Sequence, residues 1–351
     1  MASQSRLRET RRATIKDVAH AAGVSVTTVS NALNGRTEAM TEETLQRIQQ
    51  TIRALNYRPS RVARSLVTQH TATIGVIITE IVTPLFLQAL NDIESIARDA
   101  EHNILLATTA DKLEEEAQVF DLLLEKQVDG IIFLSTSVYT DNSFLENLPS
   151  SVPPIVLINR TNQFHSHFDQ INFDNINGIR QAVDYLVQLG HRYIGHLVGP
   201  ANRASSAERL SGYLAALEKH QLLYGQDYVR PGDFEKDPLE WEASTRELLA
   251  LSPRPTAIIA ANDRVAAIVM RTVQRAGLRI PEDISIIGID NQPFCTYLNP
   301  MLTTIQLPIS EAGRQATRML LARIENPRQQ THQEILACPL IVRESTGAAA
   351  M

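Results

Sequence analysis

Residues 14–34 read Thr14-Ile-Lys-Asp-Val-Ala-His-Ala-Ala-Gly23-Val-Ser25-Val-Thr-Thr-Val-Ser-Asn-Ala-Leu-Asn34. Ile15, Val18, Ala19 and Ala22 recur at helical spacing. Gly23 supplies the positive φ that ends a helix, and Ser25 is a good N-cap for the next one. That next run, Val26 to Asn34, places Val29 and Leu33 on one side, and Gly35 stops it. Two short helices joined by a three-residue, Gly-containing turn make a helix-turn-helix pattern. The turn holds the second helix across the first, free to enter a major groove. Its outward positions are Val26, Thr27, Ser30 and Asn31. They offer a methyl contact, two hydroxyls and an amide, all usable at base edges. Thr41 caps a third helix with an acidic first turn, Glu42 and Glu43, and an expected buried stripe of Leu45, Ile48, Ile52 and Leu55. A helical bundle with no DNA role would share this spacing, so charge has to decide between the two readings.

The 351 residues carry a net charge of −6, which hides a split. Residues 1–69 hold eleven Lys/Arg and five Asp/Glu, whereas residues 70–351 hold 22 and 34. A basic segment on an acidic body points to a polyanion as the partner of the basic part. The two cysteines, Cys295 and Cys338, form neither a disulfide framework nor a zinc cluster and fit a reducing compartment. No apolar run approaches the ~20 residues of a membrane span, and no apolar stretch follows the basic N-terminus as a secretory signal would require. A cytoplasmic chain with no membrane association is expected.

Beyond the three helices, Pro59 ends helical structure and Ser60 can cap a short helix. Helices under ~12 residues are marginal in isolation, so this one is expected to order only when docked. Arg61 and Arg64 suit phosphate or a minor groove. Leu66 reads either as a linker residue packing on the body or as a wedge between base pairs.

From about residue 71 the pattern changes to short apolar runs alternating with amphipathic segments. The predicted strands are Ile74–Thr79, Ile104–Thr109, Gly130–Ser135, Ile155–Asn159, Ile194–Gly199, Ala257–Ala261 and Ser285–Ile289. Helical stripes include Leu87, Leu90, Ile93 and Ala97, and Ile176, Ile179, Val183 and Leu186. Alternation of this kind implies βαβ units and parallel sheets covered on both faces. The fold class is thus an all-α helix-turn-helix head plus an α/β body. There is no G-x-G-x-x-G, P-loop, G-x-S-x-G or H-E-x-x-H. No cofactor, metal or catalytic constellation is indicated, and an enzyme is not expected.

The motifs Thr14-Ile-Lys-Asp-Val-Ala, Ala22-Gly-Val-Ser, Thr28-Val-Ser and Tyr57-x-Pro-x-x-x-Ala63-x-x-Leu66 resemble the LacI/GalR (lactose repressor) family of bacterial transcriptional regulators. The body resembles it too, through Val128-Asp-Gly-Ile, Gly190-His-Arg, Glu208-Arg-Leu-x-Gly, Ala261-Asn-Asp, Gly288-Ile-Asp-Asn and Leu302-Thr-Thr-Ile. The likeness runs from about residue 14 to 345. It implies a head over 1–58, a hinge helix and linker over 59–70, and an effector-binding and dimerisation body over 71–351. The body would form two doubly wound parallel-sheet subdomains of periplasmic-binding-protein type I. The N-subdomain would take about 71–171 and 306–337, and the C-subdomain about 172–305 and 338–351. By resemblance Val26, Thr27 and Asn31 read bases. Ser60, Arg61, Ala63, Arg64 and Leu66 form the hinge set, with Leu66 at the minor-groove wedge.

Ligands of open α/β sheets bind at the carboxyl ends of strands. Strand-end position and resemblance together nominate Phe86, Asn159, Arg160, Phe173, Arg203, Ser205, Arg209, Phe234, Asn262, Asp263 and Asp290 as effector-binding. Carboxylate, amide and guanidinium groups suit sugar hydroxyls, and an aromatic face suits the C–H side of the ring. Arg203, Ser205, Arg209, Phe234 and Asp290 also resemble a purine-binding pattern within the family, so a purine is the alternative. Two departures from the family pattern leave the ligand open. Leu307 stands where a Gln is common, and Asn159 stands where an acid is common. The resemblance implies a homodimer on a pseudo-palindromic double-stranded DNA operator, joined through helices near 84–100 and 264–280. No leucine heptads at the C-terminus add a tetramerisation coil.

Overall fold

The structure, a computed structural model, describes residues 13–33, 35–58, 70–79, 81, 84–109, 112–134, 145, 148–149, 152–160, 167–201, 203–222, 225–234 and 238–350. The chain divides into two compact units, residues 1–71 and 72–351.

In the first unit, α1 (Ile15–Ala22), α2 (Val26–Leu33) and α3 (Glu42–Ala54) close on Val18, Ala19, Ala22, Val29 and Ile48. Each start and stop has a local cause. Thr14 and Asp17 form a reciprocal capping box at α1, and Gly23 ends that helix at φ 64°. The Ser25 hydroxyl accepts from the Thr28 N–H at 3.0 Å at the start of α2. Thr41 accepts from the Thr44 N–H at α3. Arg47 Nε donates to the carbonyl of Ala22 at 3.0 Å, which fastens α3 to the end of α1. The expected stripe on α3 is shorter than the spacing predicts. Leu55 is exposed, and Tyr57 packs against the cluster instead.

The second unit carries two six-stranded sheets. The first is built from β1 (Thr73–Ile78), β2 (Asn103–Thr108), β3 (Gly130–Leu134), β4 (Ile155–Ile158) and β5 (Asp169–Phe173), with α4 (Pro84–Asp99) and α5 (Leu113–Glu125) between them. The chain then passes into α6 (Asn175–Gln188), β6 (Ile194–Val198), α7 (Ala204–Lys219), β7 (Val229–Pro231), α8 (Pro238–Leu249), β8 (Ala257–Ile259), α9 (Asp263–Arg275), β9 (Ser285–Asp290) and β10 (Thr303–Gln306). It returns through α10 (Ile309–Glu325) and β11 (Gln333–Leu336), and ends on β12 (Leu340–Ile341). The strand orders are β11-β5-β4-β3-β1-β2 and β12-β10-β9-β8-β6-β7. Every pairing is parallel except β10 with β12. The interior strands β3, β4, β6 and β8 are buried throughout, as strands covered on both faces should be.

The chain therefore crosses between sheets three times. The first crossing falls at Asp174, because β5 stays paired with β11 as far as Phe173 and Leu336, a little past the expected 171. The crossings converge on the start of α6. The Asp174 N–H donates to Leu336 O at 2.9 Å. Gly178 lies where an added Cβ would sit 3.0 Å from Cys338 Cβ and 3.1 Å from Ile305 Cγ2. Asp169, at the start of β5, accepts from the Arg323 guanidinium of α10 and from the His332 N–H that leads into β11.

Two helical stripes are rotated from the expected phase. On α4 the buried residues are Leu85, Ala89, Ile93 and Ala97, while Leu87 is 43% exposed. On α6, Ile176 is exposed and Ala182 is buried beside Ile179, Val183 and Leu186.

Candidate DNA interface and effector site

In the head, Val26 and Thr27 are exposed on the first turn of α2, and Ser30 and Asn31 are half-buried one turn later. Val29 faces the core, and Ala32 and Leu33 pack against the same cluster. The four outward residues therefore share one face of a helix whose start is fixed by Ser25. That face presents hydroxyl and amide groups beside a methyl-bearing residue, the groups needed at base edges. The hinge residues Ser60, Arg61, Ala63, Arg64 and Leu66 lie outside the described residues.

In the body, Arg209 and Asp290 lie near the carboxyl ends of β6, β8 and β9, close enough for their charges to act on one another. Arg209, on α7, is buried. Its Nε donates to Asn175 Oδ1 at 3.1 Å, and its Nη1 donates to Ala261 O at 3.0 Å. Burial pulls the guanidinium pKa down, opposed first by the charge of Asp290. Asp290 ends β9 at φ 119° and is followed by Asn291 at φ 56°. Two successive non-glycine residues at positive φ mark a strained segment. Burial and the neighbouring Asp263 push the Asp290 carboxyl up to about 8, against the pull of Arg209 and Gln292.

Arg203 caps α7 and sits 5.9 Å over the Phe234 ring. Phe234 in turn stacks on Trp241 with centroids 6.2 Å apart. Trp241 is buried, so it backs the Phe234 platform from the core side. Gly199 makes room for this arrangement, since an added Cβ would lie 2.6 Å from Phe234 Cζ and 2.7 Å from Ser206 Oγ. Ser205 is buried in the first turn of α7. Phe86 is half-buried on α4 and packs against the core. Asn159 adopts φ 55°, and its N–H donates to Ile171 O at 2.7 Å.

Four nominated residues have other partners. Arg160 is fully buried, ion-paired with Glu116 on α5 and 5.3 Å over the Phe133 ring. Its guanidinium is bound to the helix side of the first sheet. Asp263 is also fully buried. Its Oδ1 accepts from the Thr304 hydroxyl at 2.6 Å and its Oδ2 from the Gln292 N–H at 2.7 Å. It braces the segment that carries Asp290. Asn262 caps α9, its Oδ1 accepting from the Val265 N–H at 2.9 Å, which leaves its amide N–H groups as the donors it can offer. Phe173 is buried in the core at the end of β5.

The sequence reading missed two further polar residues of this region. Asn175 is buried and links Arg209 to Glu208, its Nδ2 donating to Glu208 Oε2 at 2.8 Å. His196 is buried on β6, its Nδ1 at 3.0 Å from Ile259 O, its ring 5.0 Å from Tyr213, and its Nε2 without a hydrogen-bond partner. Burial lowers its pKa to about 4, so it is neutral. A histidine amid the apolar residues of β6 is visible in the sequence, but its orientation is not. Among the described residues no cluster of three or more His, Cys, Asp and Glu could hold a metal.

Residues 14–60 match the bacterial regulatory proteins of the lacI family, and residues 183–346 match the periplasmic binding protein-like domain. The HTH-type transcriptional repressor PurR of Vibrio cholerae is 34% identical over 318 residues, which is 91% of this chain and 93% of that protein. The chain belongs to the lacI family of bacterial regulatory proteins. It is a ligand-regulated, DNA-binding transcriptional repressor with the helix-turn-helix head and two-subdomain body of that family. Among solved structures, the Lac repressor dimer bound to operator and an anti-inducer is similar at a TM-score of 0.86 and 27% identity, covering 96% of this chain and all of that one. A complex of the transcriptional regulator CelR with cellobiose aligns at a TM-score of 0.71 and 28% identity, covering 95% of this chain and all of that one. A LacI-family regulator from Enterococcus faecium with bound ribose aligns at 0.69 and 30% identity, covering 79% and 99%. No helix among the described residues is long and apolar enough to cross a membrane.

Proposed function

We propose that this repressor reads a pseudo-palindromic operator as a cytoplasmic homodimer. A small sugar-like effector in the body controls operator affinity, and the chain performs no catalysis. The observation that carries the effector reading is the buried Arg209, held by Asn175 and Ala261 within electrostatic reach of Asp290 at the carboxyl end of β9, in the same subdomain as the Arg203–Phe234 contact. One cation, one carboxyl group and one aromatic face match the hydroxyls and the C–H side of a sugar. Arg203, Ser205, Arg209, Phe234 and Asp290 form the contact set, with Asn262 offering its amide and Phe86 and Asn159 contributing from the first subdomain. The likeness to regulators solved with cellobiose and with ribose supports the same class.

A purine is the second reading. Arg203 over the Phe234 ring also suits a planar base. Dimerisation through α4 and α9 agrees with the exposure of Leu87 on α4 and with the dimer seen for the Lac repressor.

The test is a thermal-shift screen of the full chain against mono- and disaccharides and nucleobases. A ligand at 100 times its dissociation constant stabilises by about 2.7 kcal/mol. Stabilisation by a sugar supports the reading. Stabilisation by a nucleobase alone transfers it to the purine class. A mobility shift with operator-sized DNA, with and without the hit, then fixes whether the effector weakens or strengthens DNA binding.

A further inference from the structure

The start of α6 joins two parts of the body that function must connect. Asn175 is its first residue and follows directly on the crossing at Asp174. It is 3% exposed. Its amide is fully engaged, with Oδ1 accepting from Arg209 Nε at 3.1 Å and Nδ2 donating to Glu208 Oε2 at 2.8 Å and to Phe173 O at 3.4 Å. One side chain therefore touches the last residue of β5 in the first sheet and the buried guanidinium of α7 in the second subdomain.

The surroundings of Asn175 hold it firmly. Asp174 caps α6 by accepting from the Asn177 N–H at 3.1 Å, and its own N–H is bound to Leu336 O next to the third crossing. Gln181, farther along α6, donates to Cys338 O at 3.4 Å. Arg209, by contrast, has a long side chain with several rotatable bonds. Buried guanidinium groups fix an orientation only when their N–H groups find acceptors in set directions. Ala261 O provides one such acceptor and Asn175 the other.

We infer that Asn175 is a positioning residue that aims the Arg209 guanidinium at the effector site and ties it to the crossing between subdomains. The inference rests on the reading of Arg209 as an effector contact. Asn175 Oδ1 accepts from Arg209 Nε–H, and Glu208 fixes the amide so that its oxygen faces Arg209. Any change in the torsions at Asp174 displaces the acceptor that sets the direction of Arg209. Movement of one subdomain against the other is thereby linked to the affinity of the site. Preorganisation of this kind needs supporting hydrogen bonds behind the binding residue.

The experiment uses the full chain with 15N-labelled arginine. The Arg209 Nε–H resonance is assigned by its loss in Arg209→Lys, and its hydrogen exchange with solvent is measured. Slow exchange is expected in the native protein, and exchange at least about tenfold faster in Asn175→Ala. In the double variant Asn175→Asp with Glu208→Gln, amide and carboxylate trade places, and slow exchange should return. A protein that merely needs a buried polar group at 175 would not show that return. Native exchange in Asn175→Ala, with backbone spectra unchanged, overturns the proposal, and so does failure of the double variant to restore protection while remaining folded. Titration of the native protein with cellobiose, ribose and adenine separates the two readings. If none shifts the Arg209 resonance, the effector role of Arg209 fails, whereas the exchange comparison still decides the role of Asn175.

Discussion

The Thr304 hydroxyl donates to Asp263 Oδ1 at 2.6 Å, and through this bond β10 holds the first residue of α9. Together with the Gln292 N–H on Oδ2, it makes Asp263 a brace for the turn that carries Asp290. Of two neighbouring aspartates, one is thus engaged in holding the fold, and the other is the one proposed to meet the effector.

Truncating the two should separate those roles. Asp263→Ala leaves the Thr304 hydroxyl and the Gln292 N–H without their acceptor inside the protein, at a cost of about 3 kcal/mol. Urea unfolding should show that loss. Asp290→Ala should not lower stability and should abolish effector binding in calorimetry. Equal destabilisation by both substitutions would contradict the division.

Stability against pH should carry two opposing contributions. His196 is held neutral, with its pKa lowered to about 4 by burial. Its unfolded value is near 6.5. The stability it contributes is present above that value and is lost as pH falls toward 4, because the unfolded chain then binds the extra proton. His196→Val should remove up to about 3 kcal/mol of that acid dependence. Asp290 works the other way, since its carboxyl is raised to about 8. Its contribution is present below about pH 4, the ordinary carboxylate range, and declines as pH climbs toward 8. Asp290→Asn should flatten that decline, which equilibrium unfolding at a series of pH values would measure.

The buried pair of Arg160 and Glu116 predicts a third result. Glu116→Ala strands a guanidinium that is fully buried, and breaking such a pair typically costs about 3–5 kcal/mol. Replacing both residues, Glu116→Leu with Arg160→Met, should recover most of that loss. Effector affinity should stay native in the double variant. A large loss of effector binding without loss of stability would restore Arg160 to the site.

In the head, Asn31→Ala should relax base preference at one position of each half-site, worth ~1–3 kcal/mol. Competition with single-base operator variants measures it. A uniform loss across all sequences would make Asn31 a phosphate contact. Leu66→Ala should weaken specific operator binding while sugar binding stays near normal, as expected of a minor-groove wedge. Unchanged operator affinity would remove Leu66 from that role.

Much of this was legible because it rests on local signals. The caps at Ser25 and Thr41 and the stop at Gly23 all formed where the residue types required, while the capping box at Thr14 went unread. All seven predicted strands exist, since each is built on a predominantly apolar run. The strands that escaped notice, β5, β7, β10, β11 and β12, include several that mix polar with apolar residues, as Asp169-Gln-Ile-Asn-Phe does. Tertiary pairing makes them strands. The site divides in the same way. Strand-end position nominated Asp290 and Asp263 alike, but nothing local reveals that Thr304, 41 positions on, occupies Asp263. Arg160 shows the same limit, because its partner Glu116 lies 44 positions away.

The clasp at the start of β5 bears on how the protein is made. Asp169 waits for a partner 163 positions later, the N–H of His332 just before β11. Until that stretch leaves the ribosome, β5 remains an open edge, with the apolar interior of the first sheet complete beside it. Neither half of the body can finish on its own during synthesis, because each is closed by the last few dozen residues. Non-local closure of this kind slows folding and prolongs the exposure of unpaired strands. Translation of this repressor should therefore be most vulnerable to aggregation late, when nearly all of the chain exists and its edges are still unpaired.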